Sequence, residues 1–251
     1  IVDQYQKQYN IKKFWLANDY GNLWFITKPL LKLLVFFNDT LGNFGLSIIF
    51  VTILIKLLFF PLANKSYVAM QKMKVLQPQL MRIKEMYKND KAKLNQEMMA
   101  LYKREKVNPA AGCLPILIQI PIFFALYKIL FVSLEMRHAP FYLWINDLSV
   151  ADPTSILNLF GLLPYDPYSL PWPFNAKMIN IGIWPLLMGS SMWLQQKLNP
   201  QPTDPVQAKI FKYLPVFFTF ILAPFASGLV IYWTANNVLS MAQQILIKKR
   251  I

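Results

Sequence analysis

The chain has very little of the chemistry that metal sites and most enzymes use. Among 251 residues it contains one cysteine, Cys113, and one histidine, His138. A single cysteine permits no internal disulfide, and a single histidine leaves no His/Cys cluster for a metal. We therefore expect no metal and no cofactor, and we interpret Cys113 as a small residue packed at the start of a helix.

Acidic residues are also scarce, with 12 Asp and Glu against 26 Lys and Arg. None of the 12 lies within a long apolar run of the chain. An intramembrane hydrolase needs a base beside its nucleophile, and ion-coupled transporters generally use intramembrane carboxylates. We therefore predict no catalytic residues and expect that the protein is not an enzyme.

Hydrophobic residues are abundant, at 55% of the chain against 15% charged, with a mean hydropathy of +0.33. This composition is too apolar for a soluble domain of this length and indicates a membrane protein. Within lipid, an α-helix satisfies its own backbone hydrogen bonds, whereas an open sheet edge does not. Apolar runs separated by polar loops therefore predict an all-α polytopic fold with five transmembrane helices. The predicted spans are 44–62, 113–133, 179–197, 210–225 and 229–247.

The distribution of charge predicts the orientation of these helices. The segment 63–110 carries eleven Lys and Arg residues, whereas 134–178 carries two. Because cytoplasmic loops are enriched in cations, 63–110 and the C-terminus are predicted to be cytoplasmic. The loop 134–178 and the N-terminus are then outside, where an aromatic belt would contain Trp144, Tyr165, Tyr168, Trp172 and Trp184.

The first 43 residues are predicted to be extracytoplasmic and to contain an amphipathic interfacial helix over 21–38. A core-facing helix beneath another domain is the alternative. The chain begins with Ile1 and without a signal-like segment, so we expect it to be part of a longer protein. The predicted organisation is 1–43, a first span 44–62, a helical hairpin 63–110, and four further spans within 111–251.

Apolar residues recur at steps of three and four within the cationic segment, on both sides of Asn89-Asp90. This pattern predicts a cytoplasmic helical hairpin over 64–108, with a kink or interruption at Pro78. Its six methionines suit adaptable contacts with apolar partners, or they fill the hairpin's own seam. They are Met70, Met73, Met81, Met86, Met98 and Met99.

Lys56 lies inside the first apolar run, where a cation needs a partner, a route to water or a function. Thr52 is one helical turn earlier on the same face. The last predicted helix has a polar stripe of its own, formed by Tyr232, Asn236, Ser240 and Gln243. Such residues either join helices by hydrogen bonds or, with Thr52, Lys56 and Gln119, surround a hydrated groove; the sequence leaves both interpretations open.

Several ordered strings then resemble the core of the YidC/Oxa family of bacterial membrane protein insertases. They are Asp19–Gly21, Gly45–Ile49, Leu76–Pro78, Gln96–Lys103, Lys106–Pro109, Gly112–Phe123 and Pro140–Ile145. The resemblance runs from about Asp19 to the C-terminus.

The resemblance implies a five-helix core in the bacterial inner membrane, with a hydrophilic groove open to the cytoplasm and to lipid. Lys56 matches the family's groove cation. The substrate-contact side would contain Ile120, Pro121, Phe123, Tyr232 and Trp233. The implied partners are nascent membrane proteins, the lipid bilayer, and possible contacts of the hairpin with the ribosome, a targeting receptor and a Sec-type translocon. Sequence-specific nucleic-acid binding is not expected.

Two features depart from the family pattern. Lys56 replaces the more common Arg, which keeps the charge but loses the planar fork of donors. The outer loop contains a Pro-rich insert over 163–173, whose role the sequence does not define. A small-solute channel or transporter, and a purely structural assembly factor, are the alternative functions.

Overall fold

The computed structural model describes residues 8–9, 21–108, 114–172, 179–199 and 205–248, and these contain helices but no β-strand. The all-helical fold predicted from the sequence is confirmed. The main helices are α1 (Trp24–Leu41), α2 (Phe44–Leu58), α3 (Phe60–Met86), α4 (Lys91–Arg104), α5 (Leu114–Val132), α6 (Ile183–Leu198), α7 (Pro205–Leu222) and α8 (Ser227–Lys248). Cys113 and much of the N-terminal segment lie outside the described residues.

Among the described residues, no unbroken helix combines the length and apolarity needed to cross a bilayer. Helices α2 and α3 taken together have that length and apolarity, although they are bent by 68° at their junction. A shorter apolar helix runs over Leu117–Val132.

The junction of α2 and α3 lies at Phe59, three residues before the predicted end of the first span. Pro61 explains this position, because proline has no N–H to bond back to the preceding turn and its ring collides with that turn. Proline is tolerated in the first turn of a helix, where Pro61 stands in α3. The segment predicted as the first span therefore consists of α2 followed by a bend into α3.

Helix α1 buries one face and exposes another. Thr27, Leu30 and Leu34 are buried, and α1 packs against α2 and α5. Trp24 and Phe36 are more than half exposed. The helix ends at Gly42, whose φ of 67° suits glycine and whose N–H bonds the Asn38 carbonyl.

Helices α3 and α4 pack on each other and have a small core of their own. It consists of Leu76, Leu80, Leu101, Tyr102 and Val107. Asp90 caps α4 by accepting a hydrogen bond from the Lys93 N–H at 3.0 Å. Helix α3 continues through Pro78, so of the predicted kink or interruption the interruption is wrong.

The larger core joins α1, α2, α5 and α8 around buried residues such as Ile48, Ile129 and Leu229. A second cluster, Met188, Leu222 and Val230, joins α6, α7 and α8. Gly189 permits the close approach of α6 to α7, since a Cβ at that position would overlap the Thr219 hydroxyl.

The described part of the outer loop is held to the helix ends by hydrogen bonds. Asp152 accepts bonds from the Trp144 indole at 3.1 Å and from the Trp184 N–H at 2.9 Å, at the start of α6. The Ser227 and Gly228 N–H groups bond the carbonyls of Val150 and Leu148, which satisfies the start of α8. The loop thereby fixes one end of the bundle.

Candidate hydrophilic groove

Lys56 of α2 contacts Ser240 in the polar stripe of α8. The Lys56 ammonium donates a hydrogen bond to the Ser240 hydroxyl at 2.7 Å. The same hydroxyl donates to the Asn236 carbonyl at 2.7 Å, and Ser240 is almost fully buried. Two of the residues selected from sequence are therefore in contact although 184 positions separate them.

A second polar pair joins α5 to α8. The Gln119 amide donates a hydrogen bond to the Tyr232 hydroxyl. Gln119 also lines a cavity of about 40 Å³ together with Lys56 and Gln243. The rest of the lining consists of Ile55, Phe59, Leu62, Ala63, Tyr67, Ile118 and Ile122. Because an ordered water needs only about 10–15 Å³ of such space, the cavity is large enough to be hydrated.

Gln243 gives this cavity an unsatisfied donor. Its side chain is 6% exposed, and its amide nitrogen has no hydrogen-bond partner among the described residues. An unpaired buried amide costs about 1–3 kcal/mol, so an acceptor that reaches it is favoured. Lys56 is also a donor without acceptor capacity. The polar part of the cavity wall therefore presents the Lys56 ammonium and the Gln243 amide nitrogen as donors.

Thr52 and Asn236 form hydrogen bonds within their own helices, close to the cavity. The Thr52 hydroxyl bonds the Ile48 carbonyl of its own helix at 2.6 Å. It lines a separate, smaller cavity of about 10 Å³ with Tyr232 and mainly aliphatic side chains. Asn236 is buried and contributes its backbone carbonyl to Ser240. Neither residue lines the cavity of Lys56.

Other polar residues of α8 join helices rather than line the cavity. The Asn237 amide donates to the Ser191 hydroxyl of α6 at 2.9 Å, and the Gln244 amide donates to Asn199 at 3.1 Å. Neither Asn237 nor Gln244 belongs to the stripe of Tyr232, Asn236, Ser240 and Gln243. One face of α8 forms hydrogen bonds to α6, and the other borders the cavity.

Tyr67 is a functional candidate that the sequence reasoning missed. It is 7% exposed, lines the cavity, and has the polar side chains of Ser240 and Gln244 nearby. The periodicity of α3 assigned this residue to the hairpin, and no local signal indicates that the first turns of α3 return to α8. Tyr67 follows the 68° bend at the α2–α3 junction, eight residues after Phe59.

The predicted substrate-contact residues lie on the adjacent surface of α5 and α8. Ile120 is 45% exposed, while Pro121 is partly buried within α5. Phe123 and Trp233 pack edge to face with ring centroids 5.0 Å apart, and Trp233 also contacts Phe218 of α7. These aromatic rings form an apolar wall between α5, α7 and α8.

The electrostatic character of the cavity follows from Lys56. No acidic residue is among the described residues that line it, and within those residues Lys56 forms no ion pair. The described residues contain no group of three or more His, Cys, Asp or Glu side chains that could hold a metal. Lys128, the single lysine of α5, lies nine positions after Gln119, or roughly 14 Å along the helix.

Comparison with known proteins gives consistent matches. The family model described as 60Kd inner membrane protein matches residues 36–251. A membrane protein insertase YidC of Pelagibacter ubique is 59% identical over 250 residues, covering 100% of this chain and 43% of the relative. The protein of that name from Rickettsia conorii is 56% identical over 249 residues, covering 99% of this chain and 43% of the relative.

A solved structure is also similar. It is described as an active YidC insertase crystal structure with the first transmembrane domain resolved. It matches with a TM-score of 0.63 and 25% sequence identity, over 88% of this chain and 46% of that chain. The chain thus spans less than half the length of these relatives.

Proposed function

Since this chain belongs to the 60Kd inner membrane protein family, we propose that it forms the core of a membrane protein insertase and chaperone. It would guide short membrane proteins from the cytoplasm into the lipid bilayer of the bacterial inner membrane. The observation that carries the proposal is the contact of Lys56 with Ser240 at a cavity whose Gln243 amide nitrogen has no partner within the described part of the chain. The names of the matched relatives support the same activity.

The proposed topology has five membrane crossings, by α2, α5, α6, α7 and α8. Helix α1 would lie at the outer interface, and the α3–α4 hairpin and the C-terminus would be cytoplasmic. The eleven cations of 63–110 support this orientation, because positive charge is retained on the cytoplasmic side. The exposed aromatic residues Trp24 and Phe36 of α1 support an interfacial position.

In the proposed mechanism, the cavity shortens the distance over which a polar segment must cross hydrocarbon without water. Moving such a segment through hydrocarbon is costly because its polar groups lose water. A hydrated cavity bordered by Lys56, Gln119 and Gln243 would replace part of that water. Because the Lys56 ammonium and the Gln243 amide nitrogen offer donors, it suits segments rich in acceptors, namely backbone carbonyls and carboxylates.

The driving force would come from the substrate itself. Its apolar segment gains free energy by entering lipid, at roughly 25 cal/mol for each Å² removed from water. The wall formed by Phe123, Trp233 and the exposed Ile120 would guide that segment while the polar part occupies the cavity. No covalent bond changes, so no catalytic residue, metal or cofactor is required.

The hairpin is proposed to receive substrates and their delivery partners. Its small core is separate from that of the bundle, and Val75, Met81, Met86 and Met99 remain at least half exposed. Flexible thioether side chains can adapt to varied apolar segments. A ribosome, a targeting receptor or a Sec-type translocon would be recruited on this side.

Reconstitution into liposomes tests the function. The purified chain should insert a single-spanning substrate with a short acidic leading segment, detected by its protection from external protease. Lys56→Gln should reduce insertion, whereas Lys128→Gln, which removes one cation from another helix, should not. Flux of a small solute without insertion would instead indicate a channel, and neither activity would indicate an assembly factor; both results contradict the proposal.

A further inference from the structure

A second cleft, distinct from the groove, lies where the end of α6 meets the start of α7. It has a volume of about 590 Å³ and is lined by Lys197, Lys209 and Lys212 with Trp193 and Tyr213. None of the described residues that line it is acidic. Three cations around one cleft repel one another, and that repulsion falls when an anion is bound.

Aromatic rings support the lysines of this cleft. The Lys197 ammonium lies 3.5 Å from the centroid of the Trp193 ring, and that of Lys212 lies 5.9 Å from the centroid of Tyr213. Trp193 and Tyr213 are each about half exposed, at 48% and 55%. Aromatic residues with one apolar and one polar contact are typical of the membrane–water interface.

An exposed apolar surface continues from the cleft along both helices. Leu194 on α6 and Val216, Phe217 and Phe220 on α7 are all more than 40% exposed. A soluble phosphate or an RNA strand has no acyl chains that could cover this surface. A phospholipid could cover it, because its acyl chains leave the headgroup in the direction of the apolar residues.

We propose that this cleft binds the phosphate of an anionic phospholipid headgroup, with the acyl chains lying along the exposed apolar residues of α6 and α7. The position of the cleft at the cytoplasmic interface rests on the proposed topology, but the binding itself requires no insertion activity. A bound lipid would join the ends of α6 and α7, whose packing borders the aromatic wall of Phe218 and Trp233.

Native mass spectrometry of the detergent-solubilised chain tests the proposal. The probes are dioleoyl phosphatidylglycerol and dioleoyl phosphatidylcholine, which share acyl chains and a phosphate but differ in net charge. We expect about tenfold tighter binding of phosphatidylglycerol, a preference that a few interfacial lysines can supply. The triple variant Lys197→Gln, Lys209→Gln, Lys212→Gln should lose this preference.

The matched control is Lys88→Gln, Lys91→Gln, Lys93→Gln, which removes the same charge from the hairpin and should keep the preference within about twofold. An equal loss of the lipid preference in both triple variants would overturn the proposal, because the preference would then depend on the total charge of the protein rather than on this cleft. Displacement of the lipid by equimolar inorganic phosphate, or loss of oligoribonucleotide binding with unchanged phosphatidylglycerol binding, would also overturn it.

Two further results separate folding and function from lipid binding. Lys197→Arg, Lys209→Arg, Lys212→Arg should retain the preference, and if the Gln triple does not fold, Lys212→Glu alone should lower it. Unchanged binding in Lys212→Glu would contradict the site. A chain that inserts substrate without lipid preference refutes only the cleft, whereas lipid preference without insertion refutes only the proposed function.

Discussion

The Lys56 ammonium and the Ser240 hydroxyl are 2.7 Å apart, so that the cation of α2 is held by a neutral residue of α8. Because the Ser240 hydroxyl donates its hydrogen bond to the Asn236 carbonyl, its oxygen is oriented to accept from Lys56. A neutral partner leaves the positive charge of Lys56 uncompensated. The cation is thus positioned but remains able to attract an anion.

Ser240→Ala should destabilise the folded protein by about 1–3 kcal/mol, because a charged donor loses its buried acceptor. Unfolding of the purified protein in mild detergent, followed by circular dichroism, measures the change. Ser169→Ala, in the exposed outer loop, should cost less than about 0.5 kcal/mol. The double variant Lys56→Met, Ser240→Ala should recover most of the loss, since both polar partners are then absent; no recovery would refute the pairing.

Gly189→Ala should destabilise the packing of α6 on α7, since the new methyl group would overlap the Thr219 hydroxyl. Overpacking of this kind costs about 1–3 kcal/mol. Thermal unfolding of the single variant and of Gly189→Ala, Thr219→Ala measures the coupling. The second change removes the obstructing oxygen and should restore part of the stability, whereas additive losses would show that the helices are not in close contact there.

Replacing residues 73–107 with a short flexible linker should leave a folded helical bundle. The hairpin core of Leu76, Leu80, Leu101, Tyr102 and Val107 is separate from the bundle core. Tyr67 is retained because it lies against Ser240 and Gln244. Monodisperse elution and an unchanged unfolding temperature of the bundle are expected. A variant whose deletion starts at residue 64 should be less stable. An equal loss of stability in both variants would show that the hairpin itself contributes to the stability of the bundle.

Thiol labelling should distinguish the two neighbouring cavities. A cysteine introduced at Lys56 should react with a membrane-impermeant reagent added to the cytoplasmic side. A cysteine at Thr52, which lines the small and mostly aliphatic cavity, should react at least about tenfold more slowly, because thiolate reactivity requires access to water. Cys113→Ser provides the background for both. Equal protection at 56 and 52 would mean that Lys56 is not hydrated.

The sequence predicted those features that depend on local periodicity. Tyr232, Asn236, Ser240 and Gln243 lie on one side of α8 because residues three and four apart share a helical face. The family resemblance is confirmed by the match over 36–251. The helix bounds differ from the predicted spans by a few residues, since fraying and prolines such as Pro61 determine where helices end.

The sequence could not predict which polar residues pair across helices. Thr52 and Lys56 are one turn apart, yet the Thr52 hydroxyl bonds its own helix while Lys56 bonds α8. Their difference in side-chain length and the packing of α2 on α8 decide this, and both are tertiary properties. For the same reason, no pattern in the sequence indicated that Tyr67 returns to the cavity or that the Gln243 amide nitrogen has no partner among the described residues.

The measurement that tests the central claim most directly is insertion of two matched substrates that differ only in an acidic or a neutral leading segment. Lys56→Arg should retain insertion of both, because the charge is preserved. Lys56→Glu should reduce insertion of the acidic substrate at least about fivefold more than that of the neutral one, the ratio produced by roughly 1 kcal/mol of lost attraction. Lys128→Glu, with the same change of charge elsewhere, should not discriminate between them. Equal losses for both substrates in Lys56→Glu would contradict the account, because Lys56 would then act through packing or hydration rather than through its charge.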